Sequence, residues 1–257
     1  MSDEQHVNTD RRHFIGSAAA IAGITLAPGI FLTQVAHASA TGQAATSKNR
    51  WGILIDSSKC ATGCNDCVTA CNTENGISGF NREKTDAQWI RKVTLTDKTT
   101  GHVQSLPLLC QHCKNPPCVD VCPTGASMKR EDGIVLVDKH ICIGCRYCMM
   151  ACPFKARSFI HEVLEEQKAI APRGKGTVES CTMCVHRVDA NRAESDPAKH
   201  KDPACVDACN SKDHRAMWFG DMNDENSEIR KQLKAHGGQQ LRADLKLDTG
   251  VRYQGIN

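Results

Sequence analysis

Large aromatic side chains are scarce in this sequence, 4% of 257 residues, so little of its stability can rest on a core of Phe, Tyr and Trp. It contains no C-x-x-C-H, which excludes c-type haem in its usual attachment. It also lacks a phosphate-cradling glycine loop, a nucleophile and base at a recognisable spacing, and a molybdenum-cofactor signature, so no catalytic machinery is legible. No basic run is interleaved with aromatics, and a net charge of +3 leaves no nucleic-acid footprint. What the chain has in excess is cysteine, with 16 residues, far above ordinary usage. A chain poor in bulky apolar groups and rich in thiols is held together by something other than a large hydrophobic core.

The organising stretch is CIGCRYCMMACP, residues 142–153, whose C-x2-C-x2-C-x3-C-P spacing is that of a bacterial-type ferredoxin cluster loop. Three closely spaced thiolates can wrap one corner of a 4Fe-4S cube while backbone N–H groups point at its sulfurs, and Gly144 suits so tight a wrap. Cys148 and Cys152 are four residues apart, about 6 Å of helical rise, which carries the fourth thiolate towards a neighbouring cube. Pro153 then stops the helix.

Three variants of the motif occur. Cys60, Cys64, Cys67 and Cys71 have a three-residue first gap and no following proline; Cys110, Cys113, Cys118 and Cys122 have a four-residue gap holding Pro116 and Pro117; Cys181, Cys184, Cys205 and Cys209 form a split group. Four sets, each ending in C-x3-C, make an internal repeat. The second and third sets are neighbours in sequence and form an inner lobe, so the first and fourth must come together as an outer one. Exchange of fourth cysteines within each lobe assigns Cys110, Cys113, Cys118 and Cys152 to one inner cube and Cys142, Cys145, Cys148 and Cys122 to the other. The outer cubes take Cys60, Cys64, Cys67 and Cys209, and Cys181, Cys184, Cys205 and Cys71. Four oxidised cubanes at roughly −2 each, thiolates included, would reverse the sign of the net charge.

The expected fold is α+β: tandem two-cluster ferredoxin lobes nucleated by their clusters, with short hairpins. Residues 1–40 read as a Tat export signal, with Arg11 and Arg12 ahead of an uncharged run over residues 14–36 and A-x-A sites at Ala38 and Ala40. Pro28 and Gly29 interrupt that run, which argues for removal over a retained anchor. Residues 41–50 are a polar linker, 51–109 the first part of the outer lobe, 110–153 the inner lobe, 154–220 the second part of the outer lobe, and 221–257 a C-terminal helix and tail. WGILID (51–56) predicts a strand. Hairpins are expected around residues 98–101 and at Asp132-Gly133, and a helix over HEVLEEQ (161–167). Another helix is predicted within 221–236, ended by Gly237-Gly238, with an edge strand or tail beyond.

Other chemistries explain the cysteines less well. Disulfides suit an exported protein, but loops of two to four residues constrain the unfolded chain little, and eight bridges would not account for the repeated C-x3-C-P. Zinc is the better rival for Cys181, Cys184, Cys205 and Cys209, whose paired spacing resembles a ribbon site; a zinc- or disulfide-stapled binding module is thus the alternative function. With thiols enough for every cube, His112 and His186 are expected to support the ligands or fill space. Lys59, Lys114, Arg146, Lys155 and Arg187 flank the thiols, where they could raise cluster potentials or meet an acidic partner. Met149 and Met150 are expected to pack against the cubes.

The nested order of 16 cysteines, with LCQHCKNPPCVDVCPTGA, CIGCRYCMMACPF and ESCTMCVHRVDA, resembles the four-cluster iron–sulfur subunits of membrane oxidoreductases. Dimethyl sulfoxide reductase, polysulfide reductase and formate dehydrogenase beta subunits typify that family. Within it, the export signal and CATGCNDC are most similar to the periplasmic subunit of Dsr-type complexes of sulfite metabolism. The resemblance spans roughly residues 51–221 and carries the four assignments above onto these cysteines; the gap between Cys60 and Cys64 departs from the commoner form. It implies an electron-transfer subunit with four 4Fe-4S clusters and no catalysis of its own. It also implies an NrfD-like quinone-reactive membrane subunit and a multihaem cytochrome c as partners, and a molybdopterin reductase or hydrogenase complex as the alternative setting.

Overall fold

A computed structural model describes residues 44–256 except 83, 166 and 212–214; the predicted export signal lies outside the described residues. The strands are β1 (Trp51–Asp56), β2 (Ile90–Thr96), β3 (Val103–Leu109), β4 (Ser127–Lys129), β5 (Val135–Val137), β6 (Ser158–Phe159), β7 (Val178–Glu179), β8 (Met217–Asp221) and β9 (Val251–Gln254). The helices are α1 (Asp66–Asn75), α2 (Pro117–Asp120), α3 (Tyr147–Ala151), α4 (Val185–Ala193), α5 (Ala204–Asn210) and α6 (Glu228–His236). The architecture is mixed α/β. Its largest sheet has three strands in the order β8-β1-β9, and the others are the hairpins β2-β3 and β4-β5 and the two-residue pair β6-β7.

β1 is the centre of the three-stranded sheet because residues 52–55 are apolar or small on both faces and buried throughout. β8 pairs with it antiparallel, Ile55 opposite Met217, and β9 pairs parallel, Ile55 beside Tyr253. The C-terminal segment is therefore an edge strand of the main sheet. Fully buried Tyr253 ties it to the β2-β3 hairpin: its hydroxyl donates to Pro107 O at 3.1 Å and accepts from Gln111 Nε2 at 3.1 Å. Arg50, immediately before β1, donates to Gly133 O (2.9 Å), His112 O (2.7 Å) and Asp248 O (3.2 Å), joining three loops to the start of the sheet.

Both predicted hairpins form, with Leu95 opposite Gln104 and Met128 opposite Leu136. The helix expected over residues 161–167 does not: none of the described residues there is helical. Ile160 exchanges backbone hydrogen bonds with the loop at Gly176 and Thr177, and Glu162 is held by Arg82 at 2.8 Å. Such tethers outweigh the weak tendency of about seven residues to form an isolated helix. α6 occupies the second half of the predicted 221–236 segment and is N-capped by Ser227, whose side chain accepts from Arg230 N–H. Among the described residues no helix is long and apolar enough to cross a membrane.

Candidate metal centres

One local plan is repeated four times. A strand ends, a loop carries two cysteines, and a third and fourth cysteine lie four residues apart at a helix: β1 leads to Cys60, β3 to Cys110, β5 to Cys142 and β7 to Cys181. The third cysteine, whether Cys67, Cys118, Cys148 or Cys205, is the second residue of its helix (α1, α2, α3 and α5 respectively). The residue just before the second cysteine has positive φ each time: Gly63 at 83°, His112 at 43°, Gly144 at 69° and Met183 at 55°. Left-handed backbone curls the loop so that its thiols converge. At His112 and Met183 it costs about 1–2 kcal/mol that glycine would not incur.

Helix pairing decides which cysteines meet. α1 packs against α5 and α2 against α3, so the cysteine one turn along each helix is carried to the partner helix's loop. Cys67 lies within charge range of Cys60, Cys64 and Cys209, and Cys209 within range of Cys60 and Cys64; these make quartet I. Cys71, Cys181, Cys184 and Cys205 line one pocket, quartet II. Cys110 and Cys113 both face Cys118 and Cys152, quartet III. Cys122, Cys142, Cys145 and Cys148 line a second pocket, quartet IV.

All 16 cysteines are outside disulfides. The zinc reading of Cys181, Cys184, Cys205 and Cys209 meets a direct obstacle, since Cys209 stands with Cys60 and Cys64 instead. Among the described residues, no three His, Cys, Asp or Glu side chains converge closely enough for a single ion. Four thiols gathered around one space without three of them converging on a point suit a multi-iron cube better than one zinc.

The surroundings fit anionic clusters. Backbone N–H groups donate to sulfur at Cys122 (from Ser127, 3.3 Å), Cys181 (from Met183, 3.4 Å) and Cys142 (from Val178, 3.5 Å), and Asn75 Nδ2 donates to Cys71 at 3.7 Å. Burial pushes the Cys67 thiol up to about 11 and Cys110 and Cys113 to about 12; it also raises Cys71, Cys181 and Cys205. These groups become thiolates at neutral pH only beside strong positive charge such as iron. Several buried donors lack a partner: Trp89 Nε1 on the lining of the quartet II cavity, Ser127 Oγ on that of quartet IV, His112 Nε2 beside Cys113, and Arg157 Nη1. Orphaned donors around thiol-lined space are what cluster sulfides would satisfy.

Burial and the charges of Arg50 and Arg157 push His112 down to about 3, so its ring is neutral. Its Nδ1 accepts from Val135 N–H at 3.0 Å, which leaves the proton on Nε2. His186 Nε2 lies 2.7 Å from Glu74 Oε1, so its ring is engaged by a carboxylate. Of the flanking cations, Lys59 pairs with Asp56 (3.4 Å), Lys114 with Asp248 (3.8 Å), and Arg187 with Glu74 and Asp207 (2.7 Å each). Arg146 stacks on Phe159 at 4.0 Å, and Lys155 is a left-handed turn residue. Met149 packs beside Cys118 and Cys148, but Met150, expected to do the same, is 68% exposed, because consecutive helical positions cannot share a face.

Two cations that sequence reasoning missed also stand at the cysteine loops. Lys92 donates to Cys64 O (2.8 Å) and Ala61 O (3.1 Å), and Arg157 Nη2 lies 3.1 Å from Cys118 Sγ. Nothing local marks either one, since Lys92 arrives from β2 and Arg157 from just beyond the third cysteine set.

Comparison with known proteins identifies the family. Residues 101–222 match the 4Fe-4S dicluster domain family. The chain is 41% identical to the Hdr-like menaquinol oxidoreductase iron-sulfur subunit 1 of Archaeoglobus fulgidus, over 95% of this chain and 96% of that one. It belongs to the family of 4Fe-4S iron–sulfur subunits of oxidoreductase complexes. This iron–sulfur subunit is also 38% identical to a sulfite dehydrogenase subunit of Allochromatium vinosum, over 74% of this chain and 76% of that one. It is 33% identical to the menaquinone reductase iron-sulfur cluster-binding subunit of Nitratidesulfovibrio vulgaris, over 80% and 89%. Its cofactors are 4Fe-4S clusters, four for the 16 cysteines.

Proposed function

We propose that the chain is a one-electron relay whose four cubes are held by quartets I to IV in that order, within tandem two-cluster lobes. When bound, the clusters supply the electron acceptor and donor at each stage. Adjacency of thiols from successive quartets supports the order: Cys67 acts on Cys71, Cys110 on Cys181, and Cys148 on Cys118. Every cysteine of quartets II and III is buried, whereas quartet I has three partly exposed members and quartet IV has exposed Cys145. Electrons would thus enter and leave at I and IV and be insulated from water in between. The observation that carries this reading is the pairing of α1 with α5 and of α2 with α3. With the third and fourth cysteines of each set four residues apart, about 6 Å of helical rise, it brings the fourth cysteine of one set to the loop of its partner, so each helix pair joins two quartets.

The relatives, named as subunits of menaquinol, menaquinone and sulfite enzymes, support a setting in a quinone-linked complex. One end would meet an NrfD-like quinone-reactive membrane subunit and the other a soluble redox partner such as a multihaem cytochrome c, in a Dsr-type complex of sulfur metabolism. The chain itself would catalyse no substrate chemistry. Residues 1–40 would direct folded protein to the periplasm; replacing Arg11 and Arg12 together by Lys should leave it in the cytoplasm.

Cys152→Ala tests the relay. The expected result is loss of the cube held by Cys110, Cys113 and Cys118, read by low-temperature EPR and iron content, with the cube on Cys142, Cys145 and Cys148 intact. Loss of the latter instead would overturn the exchanged ligands, and with them the order.

A further inference from the structure

We propose that Arg157 is an electrostatic bridge between the two inner clusters, raising the reduction potentials of both. This rests on the ligand assignment just made and goes beyond it. Arg157 precedes β6 and is 6% exposed. Its Nη2 donates to Cys118 Sγ of quartet III at 3.1 Å, and its Nη1 is buried with no partner. The charges acting on it are thiols of both inner quartets: Cys118 and Cys110 of III and Cys148 of IV.

The fold treats its other deeply buried arginine differently. Arg173 forms a two-point pair with Glu179 at 2.9 and 2.7 Å. Among the described residues no carboxylate pairs with Arg157. A guanidinium keeps its proton at any working pH, and burying it without a counter-ion is strongly unfavourable. It is tolerable here only if the groups on both sides are anionic, as thiolate-bound cubes are. Lys139 adds to the local positive potential, standing within charge range of Cys142 and Arg157 with Glu179 as its carboxylate.

A fixed cation favours the reduced state of any neighbouring centre, because reduction adds negative charge. In contact with quartet III and within charge range of Cys148 of quartet IV, Arg157 would raise both potentials together and keep them close, so that an electron passes between them without a large step. The transfer moves one electron from one cube to the other; no bond forms or breaks and Arg157 loses no proton. Lys92 is bound to the loop of quartet I and serves a different cube.

The test is a potentiometric titration, followed by EPR, of anaerobically purified full-length protein carrying Arg157→Gln or Arg157→Lys, with iron and sulfide counted first. The inner signals are identified by their loss in Cys152→Ala and Cys145→Ala. Arg157→Gln should lower the reduced-to-oxidised ratio of both inner clusters at least tenfold at a fixed potential, 59 mV per factor of ten for one electron, and leave the outer two unchanged. Arg157→Lys, which keeps the charge, should recover most of that shift. Wild-type behaviour in Arg157→Gln, a shift in one inner cluster only, or equal shifts in both variants would overturn the bridge. So would loss of inner iron from both variants, which would make Arg157 a support for assembly. Failure of the four-cluster reading itself would appear earlier and separately, as a wild-type count well below four irons and four sulfides per quartet.

Discussion

The inner and outer thiol pairs have the same local plan but are assembled differently. Quartets III and IV draw on residues 110–152, so two loops close in sequence meet through the short helices α2 and α3, covered by the β4-β5 hairpin and, at quartet IV, by Val178 of β7 and Phe159 of β6. Quartets I and II join residues 60–71 to residues 181–209. That union depends on β1 and β8 running antiparallel, so that the loop after Ile55 and the helix before Met217 emerge at the same end of the sheet. The outer pair therefore sits against the core of the main sheet, Ile53, Leu54, Ile55, Val251 and Tyr253, all fully buried. Each aliphatic side chain among them contributes about 1.5–3 kcal/mol on burial. Quartet III reaches the same core through Cys110 and Cys152, but Cys118 and Cys148 pack in a smaller cluster with Val135 and Val178, where the metal must supply what packing does not.

Removing iron should expose that difference most strongly. Anaerobic chelation is expected to abolish protection of the β4-β5 amides in hydrogen exchange, while β1 and β9 retain residual protection. Equal loss in both regions would show that the outer sheet has no independent stability.

A smaller and more local contrast lies between two glycines at the same place in the repeat. A Cβ at Gly144 would come 2.1 Å from Gly176 O, in addition to its positive φ, whereas one at Gly63 meets nothing within 4 Å. Gly144→Ala should cost the protein the cube of quartet IV, seen as missing iron and a missing EPR signal. Gly63→Ala should cost only the left-handed backbone, about 1–2 kcal/mol, and keep all four. Equal damage at both would mean that loop curvature, and not crowding, limits the inner site.

The smallest effect concerns acid. Hydrogen bonds from Arg187, aided by His186, hold Glu74 at about 2, below its ordinary 4.5. A depressed carboxylate stabilises above its unfolded value, and that contribution fades as pH falls from about 4.5 towards 2. Glu74→Gln should therefore flatten the pH dependence of outer-cluster bleaching in that window and leave the inner clusters' acid sensitivity alone. An unchanged profile would mean that the Glu74–Arg187 pair adds nothing to the contact between α1 and α4.

Much of the organisation is legible without coordinates. The apolar run at residues 51–56, the Asp132-Gly133 turn and the repeated C-x3-C are local signals, and each produces a local element. The misses are equally specific. Residues 161–167 have helical composition, yet their neighbours hold them out of a helix; Met150 shares its predecessor's chemistry but not its face. His112 and Met183 adopt the backbone that glycine has at the other two loops, and no propensity scale would place them there.

By itself, the sequence determined the number of thiols, their spacing and the reach of one helical turn, because those depend only on covalent geometry and helical rise. Only the tertiary structure decided which charges face the thiols. Lys92 and Arg157 come from segments outside the cysteine loops, and their electrostatic effect depends on distance and burial, quantities that separation along the chain does not encode.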